Sequence, residues 1–503
     1  QFSIANLVTI YLHVRASRRD IPLVLRLLFL EEFDVKCAYL LSKLTDTVYA
    51  RVPYGMQVDP DTNALKLNRS LYGLKQSGYN WNKKFSAVLR SLRFRQSKVD
   101  PCHFIYEHDG DEIHICTWVD DGLVSTSNLQ LWHDIRAKLH EATPLGSKGP
   151  LKWLLGMSMD YDQQNGILRI SQRAKIDALL EHYGMTNSRP LPTPLDPKEK
   201  IFDDGPNNAA ERAQVVKSAN AGGARFRNYA DVVTCCREII GAVGHLACWG
   251  RPDLRQAIYF MARYQARPSV RHYRILKNIL RYLQGTKDLT LTFGQRSFND
   301  KSPLVCMVDS DYIGTGDNCY STTGYLFWFY GCPILCDSRK QTAVSCSTTE
   351  AELIAASMAA KTGQYLRRLI EQDFGFDGLT KPGAVPMILP PTPCGEDNQG
   401  TISISLGGGN HRRMRHIRVA DSYIYQCILK GSNSIHYVRS ADNVSDIFTK
   451  ACDIDTFRRL RWYLMGDAPN DEDARYPRVG SACFSWPISQ DGNSIVEECW
   501  RTE

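Results

Sequence analysis

Ile115-Cys116-Thr117-Trp118-Val119-Asp120-Asp121-Gly122-Leu123-Val124 sets two adjacent carboxylates and a glycine between two apolar runs. The pattern predicts strand, tight turn, strand, with the acids at the turn. Neighbouring carboxylates repel each other and are poor strand formers. A divalent cation would justify holding them at the tip of an apolar hairpin. The competing reading is an ordinary Asp-Gly surface turn, and the stretch taken alone favours it.

Upstream, Phe33-Asp34-Val35-Lys36-Cys37-Ala38-Tyr39-Leu40 places one more acid at the end of an apolar run. Val48 to Pro53 reads as a short strand closed by proline. Leu71-Tyr72-Gly73-Leu74-Lys75-Gln76 leads into an amphipathic helix through Trp81, Phe85, Val88 and Leu89. Before all of these, residues 5–30 alternate apolar and basic positions at near-helical spacing, broken at Pro22.

Downstream, two short strands within 153–172 flank a turn at Gln163 to Gly166, and a helix follows from Arg173 to His182. Pro190, Pro192, Pro194 and Pro197 mark a linker. Residues 203–223, rich in Asn, Ala, Gly and Asp, read as a mobile insertion. Helical patterning resumes from Val232 to Leu283, with a last helix opening at His272 and ending at Gly285. A third unit follows, with expected strands at 304–309, 324–328, 333–336, 387–389 and 435–438. A helix is expected at 348–371, with further helices around the last strand. That order is α/β with a mixed sheet. Residues 451–503 read as a basic helix, Phe457 to Leu464, and a polar tail.

The chain has 503 residues, 43% hydrophobic and 23% charged, which is globular composition and enough for two to four domains. A net charge of +7 is compatible with a polyanionic partner. The sixteen cysteines form no CxxC pair and no zinc-finger spacing, so buried free thiols in a reducing compartment are expected. The best apolar run, Leu23 to Leu30, is too short to span a bilayer and contains Arg26; no signal-peptide layout is present. The chain begins at Gln1 and reads as a piece of a longer product.

Phosphoryl transfer on nucleic acid commonly uses two Mg²⁺ ions about 4 Å apart. Mg²⁺ takes oxygen ligands, so its mark is aspartates at strand ends. Asp34, Asp120 and Asp121 fit that mark. A second acid set lies further on. Asp309 ends the run Val305 to Val308, Glu350 and Glu352 open a helix after Ser347, Asp397 follows a short strand, and Asp446 precedes Lys450. Ser347 with Glu350 three residues on is a capping box, which gives Glu350 a structural task and leaves Glu352 as the ligand. Asp309 and Asp311 share a strand face; Asp309 directly follows the apolar run and is preferred, with Asp311 the alternative.

The motifs, in this order, resemble the reverse transcriptases of Copia-type LTR retrotransposons. Asp34-Val-Lys-Cys-Ala-Tyr39-Leu40 is similar to their first palm motif. Ser70-Leu-Tyr-Gly-Leu-Lys-Gln76 with Trp81 resembles their second, and Trp118-Val-Asp-Asp121 their Tyr-Val-Asp-Asp box. Leu155-Gly156-Met157 and Leu168 to Gln172 look like the approach to the thumb. Arg251-Pro-Asp-Leu254 and Ile279 to Thr286 look like the connection. Asp309, Glu352, Asp397 and Asp446 resemble the site of the RNase H domain in the same polyproteins. The match covers roughly residues 5–455. Departures include Trp118 for the usual Tyr, Leu41-Ser42 for Asn-Gly, and a start only 33 residues before Asp34, so that the upstream fingers strand is expected to be missing.

The resemblance implies a right-hand polymerase palm with partial fingers and thumb in 1–190, a linker and helical connection in 191–300, an RNase H-like α/β domain in 301–450, and a basic helix with tail in 451–503. It implies RNA-directed DNA polymerase and ribonuclease H activities, each using two Mg²⁺ ions, with Mn²⁺ as a substitute. Asp34, Asp120 and Asp121 would hold the first metal pair, and Asp309, Glu352, Asp397 and Asp446 the second. Tyr39 would be the steric gate against a ribose 2′-OH, Gln76 would lie along the incoming nucleotide, and His411 and His416 would sit in a basic loop near substrate. Expected partners are an RNA template, a DNA primer, RNA–DNA hybrid, deoxynucleoside triphosphates and other pieces of the polyprotein. No membrane is expected, and the expected location is cytoplasmic particles or the nucleus. The alternatives are a remnant that only binds nucleic acid, and a nuclease alone.

Overall fold

The structure, a computed structural model, describes residues 28–56, 64–146, 149–294, 303–314, 319–374, 388–407 and 423–465. Strand β1 (Phe29–Asp34) is followed by one turn of helix, α1 (Ala38–Leu41). The chain then runs out and back as a ribbon, β2 (Lys43–Arg51) and β3 (Ala64–Arg69), and returns through α2 (Ser77–Ser91). Strands β4 (Arg95–Gln96), β5 (His103–His108), β6 (Asp111–Trp118) and β7 (Asp121–Thr126) complete a five-stranded sheet in the order β1-β7-β6-β5-β4. Helix α3 (Leu129–Ala142) follows.

Side chains alternate across a strand, and both faces of this sheet are covered. Ile113, Ile115 and Val124 pack with Trp81, Phe85, Leu89, Trp132 and Leu139 of α2 and α3. The intervening Cys116 and Leu123 join a different core on the other face, with Met157, Leu168 and Phe293. A strand buried on both faces needs apolar residues at every position, which is why the quoted stretch reads as two unbroken apolar runs.

A second sheet holds β8 (Trp153–Leu154), β9 (Met157–Asp162) and β10 (Ile167–Ser171), leading into α4 (Arg173–His182); β9, β10 and α4 match the expectation, and the short β8 is an addition. Helices α5 (Ala209–Ala221), α6 (Tyr229–Trp249), α7 (Arg255–Met261) and α8 (Val270–Gly285) precede β11 (Thr290–Phe293), which returns to pair with β10. The segment 203–223, expected to be mobile, is instead largely α5. Its Asn208 side chain accepts from the Glu211 N–H, and Val215 and Ala219 are buried. Alanine is the best helix former, so the small-residue composition that resembled a loop also suits a helix. Helix α8 starts two residues earlier than expected because Ser269 caps it. Helix α6 is long and apolar enough to cross a membrane by composition. Its Val232, Cys236, Ile239, Val243 and Leu246 form a stripe at helical spacing, packed against α4 and α8 in a protein core.

The third sheet holds β12 (Leu304–Asp311), β13 (Thr322–Phe329), β14 (Cys332–Lys340), β15 (Thr392–Glu396) and β16 (Asn433–Tyr437), in the order β14-β13-β12-β15-β16. The pairs β14–β13 and β13–β12 are antiparallel, while β12–β15 and β15–β16 are parallel, so the sheet is mixed as expected. Helices α9 (Thr348–Leu369), α10 (Gln399–Ser405), α11 (Tyr423–Leu429), α12 (Asp446–Thr449) and α13 (Ile454–Met465) surround it. Cys306 and Val308 face Leu353, Ala356 and Ala359 of α9. Val305 and Met307 face the opposite core, with Phe448 of α12 and Leu460 of α13. The α13 helix is thus packed into the core rather than carried on a tail. The strand expected at 387–389 is displaced: residues 388–391 carry none, and β15 begins at Thr392. Pro390 lacks the N–H that a strand ladder requires, and the Leu389 carbonyl instead accepts from Arg367 Nη2 at 2.6 Å. Among the described residues the cysteines are free thiols.

Two candidate acid sites

The first site lies where β1 meets the β6–β7 hairpin. Asp34 and Asp121 are cross-strand partners, as are Phe33 and Gly122 one step inward. The turn itself is Val119-Asp120, two residues earlier than an Asp-Gly turn would be, because Trp118 pairs directly with Asp121. Val119 has φ +59°, a left-handed conformation that costs a β-branched residue energy. Its carbonyl accepts the Trp81 indole N–H at 2.6 Å, and the Asp120 carbonyl accepts the Val35 N–H at 2.7 Å. These bonds tie the tip to α2 and to the exit from β1.

Gly122 is required by a close approach. A Cβ there would lie 2.1 Å from Phe33 Cζ, so the Phe33 ring occupies the space any other residue would fill. The Asp120 carboxylate accepts from Tyr72 Oη at 3.4 Å. Tyr72 packs at a tilt against Tyr39, with ring centroids 4.5 Å apart and planes 36° apart. The Tyr72 phenol is pushed up first by burial and then by Asp120. Tyr39 is half-buried, and Gln76 sits at the start of α2. Tyr39 and Tyr72 are thus linked to Asp120, while Asp34 and Asp121 face each other across the strands beside it.

The second site is built from four separate elements. Asp309 on β12, Glu352 on α9 and Asp397 after β15 each offer a carboxylate oxygen, all within 4.8 Å of one another. Among the described residues this is the only such group of three, and Asp34, Asp120 and Asp121 do not form another. Glu350 is held at the start of α9, its side chain reaching the residue before the Ser347 cap. Its N–H donates to Ser347 Oγ at 3.1 Å, and its carboxylate accepts from the Cys346 N–H at 2.7 Å. Glu352, one helical step on, is left facing Asp309.

Asp446 lies beside this group and pairs with Lys450 at 2.9 Å. Asn443 pins the approach to α12 by donating to the Val308 carbonyl at 2.8 Å. Thr449 donates to Asp309 Oδ2. Space for α12 comes from Gly324, the cross-strand partner of Asp309: a Cβ there would lie 2.6 Å from Thr449 Cγ2. Asp311 stands at the rim, its carboxylate over Gly314.

Burial dominates the electrostatics here. Glu352 is pushed up to about 10 by burial and then by Asp309 and Asp397. Asp446 is pushed up to about 7 by burial and Asp309, and Asp311 to about 6 by the same two causes. Asp309 is also raised, chiefly by burial. Burial opposes the charge on Lys450, but Asp309 and Asp446 outweigh it and raise its pKa. Glu352 Oε2 is buried with no hydrogen-bond partner. A buried, unbonded oxygen inside a group of carboxylates matches what a hard divalent cation requires.

One acid was not foreseen. Glu396, fully buried at the end of β15, accepts from the Asn398 N–H at 3.0 Å through Oε1, while Oε2 has no hydrogen-bond partner. Burial and Glu352 raise it well above the ordinary carboxyl range. Its only signal in the sequence was its position beside Asp397. His411 and His416 lie outside the described residues.

Residues 26–197 match the family described as reverse transcriptase (RNA-dependent DNA polymerase). Over 423 residues, 84% of this chain and 29% of the relative, the chain is 30% identical to the retrovirus-related Pol polyprotein from transposon TNT 1-94 of Nicotiana tabacum. It is 27% identical over 422 residues to that from transposon RE1 of Arabidopsis thaliana, again 84% of this chain and 26% of the relative. It is 24% identical over 328 residues to the putative transposon Ty5-1 protein of Saccharomyces cerevisiae, 64% of this chain and 98% of that one. The chain spans less than a third of the length of these plant polyproteins. Through residues 26–197 it belongs to the reverse transcriptase family, in its Copia-type retrotransposon Pol branch.

Proposed function

We propose that the chain is an RNA-directed DNA polymerase with a separate ribonuclease H centre. In this reading residues 1–190 are palm with partial fingers and thumb, 191–300 connection, 301–450 an RNase H-like domain and 451–503 its C-terminal extension. The observation that carries the proposal is the pairing of Asp34 with Asp121 beside Asp120, inside the stretch that matches the reverse transcriptase family. The buried carboxylate group supports the second centre.

Mg²⁺, two ions per site, would be held by Asp34, Asp120 and Asp121 in the first and by Asp309, Glu352, Asp397 and Asp446 in the second. Bound there, the ions would activate the attacking oxygen and stabilise the leaving one. The chain's own residues do the positioning. Tyr39, braced by Tyr72, closes the space where a ribose 2′-OH would stand. Gln76 at the start of α2 borders the same surface. Lys450 balances the charge of Asp446 and Asp309 when no cation is present.

The nuclease-alone reading is favoured by one observation: among the described residues only the second acid set forms a compact ligand group. Primer extension on an RNA template and cleavage of an RNA–DNA hybrid, measured on one preparation with Mg²⁺, test both readings. Extension and cleavage together are expected. Cleavage without extension would leave the nuclease reading.

A further inference from the structure

Away from both acid sites, a cleft of about 1020 Å³ runs along the outer edge strand β14, between α6 and α7 on one side and α9 on the other. It is at the upper end of the range for small-ligand pockets, about 300–1,000 Å³. Arg255, Arg263, Arg339, Lys340 and Lys361 line it, and Asp337 is the one carboxylate among its described lining residues. That carboxylate is already shared. Arg339 lies 3.0 Å from it, Tyr325 Oη donates to it at 3.4 Å, and the Ser338 N–H donates at 2.9 Å.

Arg255 forms the floor. Its Nη1 donates to Cys336 Sγ at 3.5 Å, and its guanidinium lies 5.5 Å from the Tyr259 ring centroid. Its Nε is buried without a hydrogen-bond partner, 3.7 Å from Asp337. A buried guanidinium N–H whose ion-pair partner Asp337 lies beyond hydrogen-bond distance, in a cleft where cationic side chains outnumber the one carboxylate by four, suits an anion with several oxygens. The other lining groups narrow the class. Trp249, Tyr259 and Tyr365 also line the cleft, and aromatic faces beside cations suit bases joined to phosphates. Paired bases offer no free face, so the fitting ligand is an unpaired strand.

The ends of the cleft agree with this. Trp249 packs edge-on against Trp118, which precedes the Val119-Asp120 turn, at 5.2 Å. Arg263 donates to Thr322, the cross-strand partner of Asp311, at 3.0 Å. We propose that this cleft binds the phosphodiester backbone of a single nucleic-acid strand. The choice of ligand rests on the function proposed above, but the test is independent of either activity.

The experiment measures binding of a labelled oligothymidylate to the full chain by fluorescence anisotropy across a salt series. It compares the chain with a triple variant, Arg339→Gln, Lys340→Gln and Lys361→Gln, whose side chains lie at the rim. Loss of three phosphate contacts should lower affinity roughly tenfold or more and flatten the log K against log salt slope by about 2. Unchanged affinity and slope, in a variant that melts like the parent, would overturn the proposal. Arg255→Gln should weaken binding in the same direction. Competition by thymidine monophosphate as effective as by unlabelled strand would mean a mononucleotide pocket and would also overturn it. Extension and cleavage assayed in parallel report separately on the proposed function.

Discussion

The hairpin site and the carboxylate group solve one problem, holding like charges together, in opposite ways. At the hairpin the acids come from two neighbouring antiparallel strands and the β6–β7 turn, stand half-exposed, and one of them, Asp120, accepts from Tyr72. In the carboxylate group they come from β12, α9, the end of β15 and α12, and the three buried ones, Asp309, Glu352 and Asp446, have their titration displaced upward chiefly by desolvation. Each site nonetheless uses the same packing device. A glycine stands on the strand beside an acid-bearing one because a neighbouring side chain fills its Cβ position: Phe33 at Gly122, and Thr449 of α12 at Gly324. Water can screen the first set of charges; in the second, Lys450 offsets part of the charge and a cation or protons must neutralise the rest.

The largest expected effect breaks the buried group. Asp309→Asn removes one of its converging oxygens, and cation stabilisation is worth several kcal/mol. Hybrid cleavage should therefore fall by about 10³-fold, with primer extension retained. Equal loss of both activities would mean that the two sites are one functional unit.

Next are the glycines. Gly122→Ala forces a methyl against Phe33 and should cost about 1–3 kcal/mol in thermal or denaturant unfolding. Gly324→Ala, pressed against α12, should cost a similar amount and also impair cleavage. Wild-type stability in either variant would contradict the packing described.

A third prediction concerns pH. Carboxyls raised in the folded state contribute stability that is full below their unfolded values near 4 and is lost as pH rises through the folded ones. For Asp446 at about 7 and Glu352 at about 10, the melting temperature without divalent cation should fall between about pH 5 and pH 9. Mg²⁺ binds the deprotonated form, so its stabilisation should grow over the same interval. A Mg²⁺ increment independent of pH would argue against those carboxyls as ligands. The smallest effect is expected at the hairpin. Tyr72→Phe removes one long bond to Asp120 and should change extension less than about tenfold.

The two sites also differed in how much the sequence could reveal. The hairpin was legible because its acids are local: two apolar runs, a turn and a glycine lie within ten residues, and Asp34 ends a recognisable strand. The mixed sheet was legible from the order of its elements. Glu352 was separable from Glu350 by a capping argument, and Glu350 is indeed bonded at the helix start, to Ser347 Oγ and the Cys346 N–H. The rest depended on contacts distant in sequence. Glu396 gains its significance only from Glu352, and Arg255 only from the edge of β14. The α5 helix was misread because small polar residues suit a loop and a helix alike. The shift of the turn to Val119-Asp120 is set by pairing register, which composition does not reveal.

The most direct test is a cross-comparison of Asp120→Asn and Asp397→Asn in the full chain, with primer extension and hybrid cleavage measured side by side in Mg²⁺. Two independent acid sites predict that Asp120→Asn abolishes extension and spares cleavage, and that Asp397→Asn does the reverse. Extension unchanged by Asp120→Asn would contradict the account.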